Sequence, residues 1–193
     1  MTARRGIDLD EIVDTAIALV EAEGLAALTL SRVARELGIR PPSLYFHVAD
    51  LETLRRNVAL RATEALGERL CNAAMGRAGG TALRAVAAEF RDYAVTHPGL
   101  YELSTRARPD DEEYASAGLR VIEPVIAILR AYDLHDDEAI HAARMLRSAL
   151  HGFVSLEIAD GFGLAVDVDE SFEWLVERLV DTLVDSTSPS AGR

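Results

Sequence analysis

Residues 29–48 read TLSRVARELGIRPPSLYFHV, and the other segments are best understood by working outward from them. Thr29 or Ser31 offers a side-chain oxygen of the kind that satisfies unpaired amides at a helix start. Leu30, Val33, Ala34 and Leu37 recur at three- and four-residue intervals, turning one stripe of a helix toward a core. Gly38 stands where a left-handed residue closes a helix at least cost. Pro41 and Pro42 reopen the chain, because proline suits a first turn whose amides have no partner. A second helix over residues 43–48 comes next, short and polar along one edge. Two short helices crossing over a tight turn form a helix-turn-helix, whose second member is sized for a DNA major groove. The arrangement alone is unspecific, since many all-helical proteins carry a glycine between helices.

The flanking sequence is helical throughout. A first helix is expected over residues 9–23, with Leu9, Ile12, Val13, Ala16, Ile17 and Val20 on one face and Gly24 as its stop. Asp50 caps a long helix reaching about Ala74, with Leu51, Leu54, Val58, Ala62 and Leu66 inward; it can join the reading head rigidly to the rest of the chain. Residues 75–80, MGRAGG, mark the domain boundary. Thr81 is a plausible cap for a helix closed by His97-Pro98, and a short segment and an acidic loop over residues 108–113 come next. A helix over residues 112–131 carries Leu119, Ile122, Ile126 and Leu129, and Pro124 inside it should bend or split it. Residues 136–159 form a helix apolar on several faces, which marks burial on more than one side. Asp169 or Ser171 caps a last helix whose stripe is Phe172, Leu175, Val176, Leu179, Val180, Leu183 and Val184. Residues 1–6, with Arg4 and Arg5, are either an arm that touches DNA or a disordered terminus, and residue 186 onward is a polar tail. No strand pattern or internal repeat appears. The fold class is all-α, with about nine helices.

Of 193 residues, 49% are hydrophobic and one is cysteine, without a long apolar run. That describes a soluble protein with neither membrane span nor secretory signal, at home in a reducing cytoplasm. The net charge of −12 argues against indiscriminate nucleic-acid binding. The acid is unevenly spread: residues 1–60 hold 7 Arg against 9 acids, and residues 61–193 hold 13 Arg against 23. Within residues 29–56, Arg32, Arg35, Arg40, Arg55 and Arg56 outnumber Glu36, Asp50 and Glu52.

The segments IDLDEIVDTAIALVEAEG, LAALTLSRVARELGI and PSLYFHV together resemble the DNA-binding domain of the TetR family of transcriptional regulators. The Tyr45-Phe46-His47 series is the specific feature. The segment ARMLRSALHGFVSLEIADGFGLAVDVDESFEWLVERLVDTL resembles the C-terminal domain of the TetR subfamily named for a Trp-His-Gly tripeptide. Here Leu150 replaces the tryptophan ahead of His151-Gly152, which puts any role of that aromatic in doubt. The resemblance implies a helix-turn-helix domain over residues 6–66, with its motif at 29–48, and a regulatory and dimerisation domain over residues 81–187. It implies a repressor bound as a homodimer to a palindromic operator in double-stranded DNA and released by an unidentified small-molecule effector, with no cofactor and no metal.

On this likeness Thr29, Ser31, Arg32, Tyr45 and His47 hold the phosphate backbone. Arg40 reads guanine edges or grips phosphate. Pro41 and Pro42 offer only apolar contact, and Ser43 belongs to the same edge, whereas Phe46 is expected in the core. The family's lysine at the start of the fourth helix is Leu51 here, so one phosphate clamp is missing and Arg55 or Arg56 is at most a weak substitute. Ligand-pocket candidates are Phe90, Tyr93, His97, Tyr101, Met145 and Phe153, which mix apolar walls with polar handles but can equally be core. The last two helices supply the dimer interface through Leu150, Trp174, Leu175, Leu179 and Leu183, because a monomer would leave their excess apolar faces exposed.

Rival readings find less support. Cys71 has no evident His partner, and no nucleophile triad, phosphate loop or cofactor signature is present, so an enzyme is not expected. His135, Asp136, Asp137 and His141 cluster in sequence, but no two histidines share the i, i+4 spacing of helical metal ligands. A helical adaptor that binds only protein would be separated from a regulator by mobility-shift assays.

Overall fold

The structure, a computed structural model, describes residues 7–106 and 110–186, among which all regular elements are helical. The arm with Arg4 and Arg5, Arg108 of the acidic loop and the tail beyond residue 186 lie outside the described residues. The helices gather into two compact units. The first runs through Thr63 and takes in His97–Tyr114; the second comprises Glu64–Thr96 and the chain from Ala115 on.

In the first unit, α1 (Leu9–Glu23) is capped by Asp8, whose carboxylate accepts the Glu11 amide at 2.9 Å. It buries Ile12, Val13, Ala16 and Val20 of the expected stripe together with Leu19, whereas Ile17 is half-buried and Leu9 is 40% exposed. α2 (Leu30–Glu36) is capped by Thr29, whose hydroxyl oxygen accepts the Arg32 amide at 3.2 Å. Gly38 then turns the chain at φ 66°, a left-handed conformation open to glycine without a Cβ penalty. α3 (Pro41–Leu44) starts two residues before the expected Ser43, since both prolines already have first-turn geometry. The amides of His47 and Val48 still fold back on the Leu44 carbonyl at 2.9 Å, so the turn continues the helix. α4 (Leu51–Ala74) is capped by Asp50, which accepts the Thr53 amide at 2.7 Å and its hydroxyl at 2.8 Å. Those bonds hold the Asp50 carboxyl below its ordinary range. Leu28, Leu44 and Leu54 are fully buried at the centre, each stabilising by roughly 1.5–3 kcal/mol on transfer from water.

The sequence reading missed that α6 (Pro98–Ser104) belongs to this unit. Leu100 and Leu103 join the same core as α1–α4. Gly99 permits the approach: a Cβ there would stand 2.6 Å from Cγ1 of Val20. His97 Nδ1 lies 2.6 Å from Glu21 Oε2, and the Tyr114 hydroxyl donates to the Ser104 carbonyl at 2.9 Å.

The second unit holds the later part of α4, α5 (Gly79–Thr96), most of α7 (Glu112–Arg130), α8 (Asp136–Ile158) and α9 (Val168–Ser186). α5 packs on both α8 and α9, which also pack on each other. Arg91 on α5 grips Glu157 of α8 in a two-pronged pair at 2.6 and 2.8 Å and reaches Asp169 of α9 at 2.6 Å. Its guanidinium lies 4.9 Å from the Phe172 ring centre, and Phe153 packs on Phe172 at 5.2 Å. Arg84 grips Glu177 in the same two-pronged way, both bonds at 2.6 Å.

Three local expectations are corrected. α5 opens at Gly79, so Thr81 lies inside its first turn rather than capping it. Asp167, not Asp169 or Ser171, caps α9, accepting the Asp169 amide at 2.7 Å and the Glu170 amide at 3.3 Å. Pro124 does not split α7, which runs unbroken through it. Proline at 124 deprives the Arg120 carbonyl of its usual donor one turn on, and the Cys71 thiol reaches that carbonyl at 3.7 Å.

Candidate nucleic-acid interface

The exposed edge of α3 follows from what its other edge must bury. Leu44 and Val48 are 0% and 1% exposed, four residues apart, and they seat the helix on the first unit's core. Side chains midway between them point the opposite way. Arg40, Pro41, Pro42, Ser43, Tyr45 and His47, the expected contacts, are all exposed around that buried pair. Phe46 is the correction: expected in the core, it is 88% exposed, and Tyr45 is 58% exposed. The Leu44–Val48 spacing already excluded Phe46 from the inward face, a signal outweighed by its apolar character.

Exposure does not make every arginine available. The Arg32 guanidinium is held by Glu23 and, at 3.2 Å, by Glu36. Arg56 gives two bonds to Asp111, at 2.5 and 2.6 Å, and one to Glu113 at 2.7 Å. These carboxylates raise the Arg56 pKa above its ordinary value and leave its charge compensated. Arg61 is likewise spent on Asp10 and Asp14. Arg40 meets no acid within ion-pair distance among the described residues, and the Arg55 Nε is buried without a hydrogen-bond partner. Leu51, in place of the family's lysine, is half-buried against the core. Thr29 and Ser31 are exposed at the start of α2.

The pocket and interface candidates divide. His97 and Tyr101 belong to the first unit, whereas Phe90, Tyr93, Met145 and Phe153 belong to the second. Tyr93 and Tyr101 are buried, Phe90 and Phe153 half-buried, and Met145 exposed. Of the interface candidates, Leu150, Leu179 and Leu183 are buried at 6%, 8% and 2% in their own chain and cannot face another. Leu175 is half-buried, and Trp174 stands out at 67% exposed. α7 also exposes Leu119 and Ile122.

Comparison with known proteins agrees with this geometry. Residues 12–50 match the family model described as bacterial regulatory proteins, tetR family. Residues 83–179 match a tetracyclin repressor-like C-terminal domain, a description that does not name the Trp-His-Gly subfamily. The chain is 40% identical over 172 residues to the uncharacterized HTH-type transcriptional regulator Rv0681 of Mycobacterium tuberculosis, covering 88% of this chain and 78% of that one. It is 30% identical over 185 residues to the uncharacterized HTH-type transcriptional regulator YobS of Bacillus subtilis, covering 95% and 96%. Apo ActR from Streptomyces coelicolor shares the fold, with a TM-score of 0.73 at 20% identity over 98% of this chain and 100% of that one. No described helix is long and apolar enough to cross a membrane. With a helix-turn-helix that turns its polar edge outward and matches to the family at both ends, this chain belongs to the TetR family of DNA-binding transcriptional regulators.

Proposed function

We propose that the protein is a cytoplasmic repressor, without catalytic activity, that binds a palindromic operator as a homodimer and is released by a small-molecule effector. The observation that carries the reading is the edge of α3, where Arg40, Ser43, Tyr45 and His47 are exposed around a buried Leu44. Arg40 reads a guanine or grips a phosphate, and Tyr45 and His47 set register on the backbone, with Thr29 and Ser31 beside them. Pro41, Pro42 and the exposed Phe46 offer apolar contact, for which the thymine methyl is the partner available in a major groove. Arg55 is the better substitute for the missing lysine, because Arg56 is committed to Asp111 and Glu113. Arg32 contacts phosphate only by giving up Glu23 and Glu36.

The repressor assignment draws on DrrR1 of Streptomyces coeruleorubidus, named an HTH-type transcriptional repressor and 32% identical over 144 residues. An effector draws on ActR solved with (S)-DNPA and on a TetR variant from Acinetobacter baumannii solved with minocycline. Phe90, Tyr93, Met145 and Phe153 are the effector candidates of the second unit, and His97 and Tyr101 those of the first.

A head this small reads few base pairs, so two copies on a two-fold site are required. Selection from random duplex DNA tests the proposal. It should enrich an inverted repeat that binds two chains per duplex. Enrichment of no sequence, or of a site occupied by one chain, would refute it.

A further inference from the structure

The start of α5 leaves three amides to be accounted for. Its first helical hydrogen bond runs from the Ala82 amide to the Ala78 carbonyl at 3.3 Å, so the amides of Gly79, Gly80 and Thr81 have no acceptor one turn back. Ala78 stands where a capping side chain would, and has no oxygen to offer. Gly79 enters at φ 54°. A left-handed residue leading into a right-handed helix gathers successive amides into a concavity, a form in which backbone holds anions. The 18-residue helix adds the positive end of its dipole.

A side chain from another element faces those amides. Tyr132, two residues past α7, is only 7% exposed, and its hydroxyl makes no hydrogen bond among the described residues. That hydroxyl lies 3.7 Å and 3.4 Å from where Cβ atoms on Gly79 and Gly80 would stand, and such bonds tilt toward a helix's N-terminus. A buried hydroxyl without a partner is costly, unless a group from outside the chain accepts its proton. Burial pushes the Tyr132 phenol above its ordinary pKa, so it is a donor at neutral pH.

Arg84 comes to the same place. Its two bonds to Glu177 use Nε and Nη2, and the remaining Nη1 lies 2.9 Å from where a Gly80 Cβ would stand. That Cβ would also meet Cγ1 of Val180 at 2.9 Å, so only glycine lets the guanidinium and the phenol close on the backbone here. The opposite side is open, since a Cβ on Gly76 would meet nothing within 4 Å. The charged groups around the turn are Arg77, Arg84 and Arg178 against Glu177 and Asp181, a local positive balance in a chain of net charge −12.

We infer that the start of α5 binds a phosphate group, held by the amides of Gly79, Gly80 and Thr81, by Nη1 of Arg84 and by the Tyr132 hydroxyl. All five groups are donors, and the oxygens of one phosphate can accept from them together. The open side toward Gly76 leaves room for whatever the phosphate is attached to. This site is separate from the effector candidates, because Phe90 lies ten residues further along α5, about 15 Å away. It does not depend on the DNA-binding reading.

Titration of the 15N-labelled full chain with inorganic phosphate at pH 7, with ionic strength held by potassium chloride, reads the site directly. The Gly79, Gly80 and Thr81 amide signals should move and saturate together, with a Kd on the order of 1 mM. Tyr132→Phe should raise that Kd roughly 10-fold and leave the phosphate-free protein melting no lower than wild type, because the hydroxyl it removes has no partner in the chain. A hydroxyl that served only packing would give the reverse, a lower melt and an unchanged Kd. Arg84→Gln should also weaken binding by roughly 10-fold, and acetate, with two oxygens for five donors, should bind about 5-fold more weakly than phosphate. Methyl phosphate bound as tightly as inorganic phosphate assigns the site to a phosphate ester; methyl phosphate excluded assigns it to the free ion. No saturable movement of the three amides, a Kd that either substitution leaves unchanged, or acetate bound as tightly as phosphate would overturn the inference.

Discussion

Gly99→Ala tests whether α6 is truly built into the reading head. The new methyl would lie 2.6 Å from Cγ1 of Val20 and 3.5 Å from the Leu25 amide nitrogen. Ordinary carbon contacts are about 3.5–4.0 Å, so Val20 or α6 must move by roughly 1 Å. Val20 is 2% exposed and β-branched, and has no spare rotamer to swing into. Overpacking of this kind costs about 1–3 kcal/mol, against which alanine returns about 0.5 kcal/mol of helix propensity. The net loss is about 1–2 kcal/mol, or a fall in Tm of about 2–8 °C for a chain of this length. Thermal melts followed by circular dichroism measure it, with Gly118→Ala, where the space is open, as a control that should melt no lower than wild type. In a Val20→Ala background the Gly99→Ala cost should largely vanish, giving a coupling of about 1–2 kcal/mol. A Gly99→Ala protein as stable as wild type, or a cost that Val20→Ala leaves unchanged, would refute the packing argument.

Thr29→Ala removes the α2 cap and should cost about 1 kcal/mol in urea unfolding, lowering operator affinity both through the frayed helix start and through the lost phosphate contact. Leu44→Ala empties a fully buried site and should cost about 2–5 kcal/mol, so its loss of DNA binding would accompany a loss of fold. Glu36→Gln frees one of the two carboxylate holds on Arg32; DNA binding should tighten by roughly 3-fold and its salt dependence steepen by about 0.9 for each added phosphate contact. The Arg84 hydrogen bonds hold the Glu177 carboxyl below its ordinary range. The stabilisation is therefore present above the unfolded carboxylate pKa of about 4.3 and lost as pH falls through the lower folded value. The difference in Tm between wild type and Glu177→Gln should be positive at pH 7 and disappear by about pH 3; a difference that grows in acid would contradict the assignment.

Much of the architecture was legible because local chemistry marks helix ends. Thr29, Gly38 and Asp50 delimit α2 and α4 through their own side chains or backbone, without reference to distant residues. The long-range partners were not legible. Nothing in the sequence around Arg56 points to Asp111, 55 residues on, yet that pair decides which arginine stays available to DNA. Sequence spacing also made α8 apolar on several faces without saying which face serves the chain itself. Leu150, Leu179 and Leu183 are buried within the chain, and Trp174 is 67% exposed. Phe46 was misplaced by treating apolar character as burial, when position relative to Leu44 and Val48 governs. α6 was missed as part of the head because its contact depends on a glycine, whose information is the absence of a side chain.

The central claim is that the outer edge of α3 holds DNA, and titration of a labelled, selection-enriched duplex with wild type, Arg40→Ala and Tyr45→Ala tests it most directly. All three proteins should melt alike, because both side chains are exposed, and each substitution should raise the Kd for that duplex at least about 10-fold, as loss of a charged or register-setting contact does. Unchanged affinity in either variant, with the fold intact, would contradict the account.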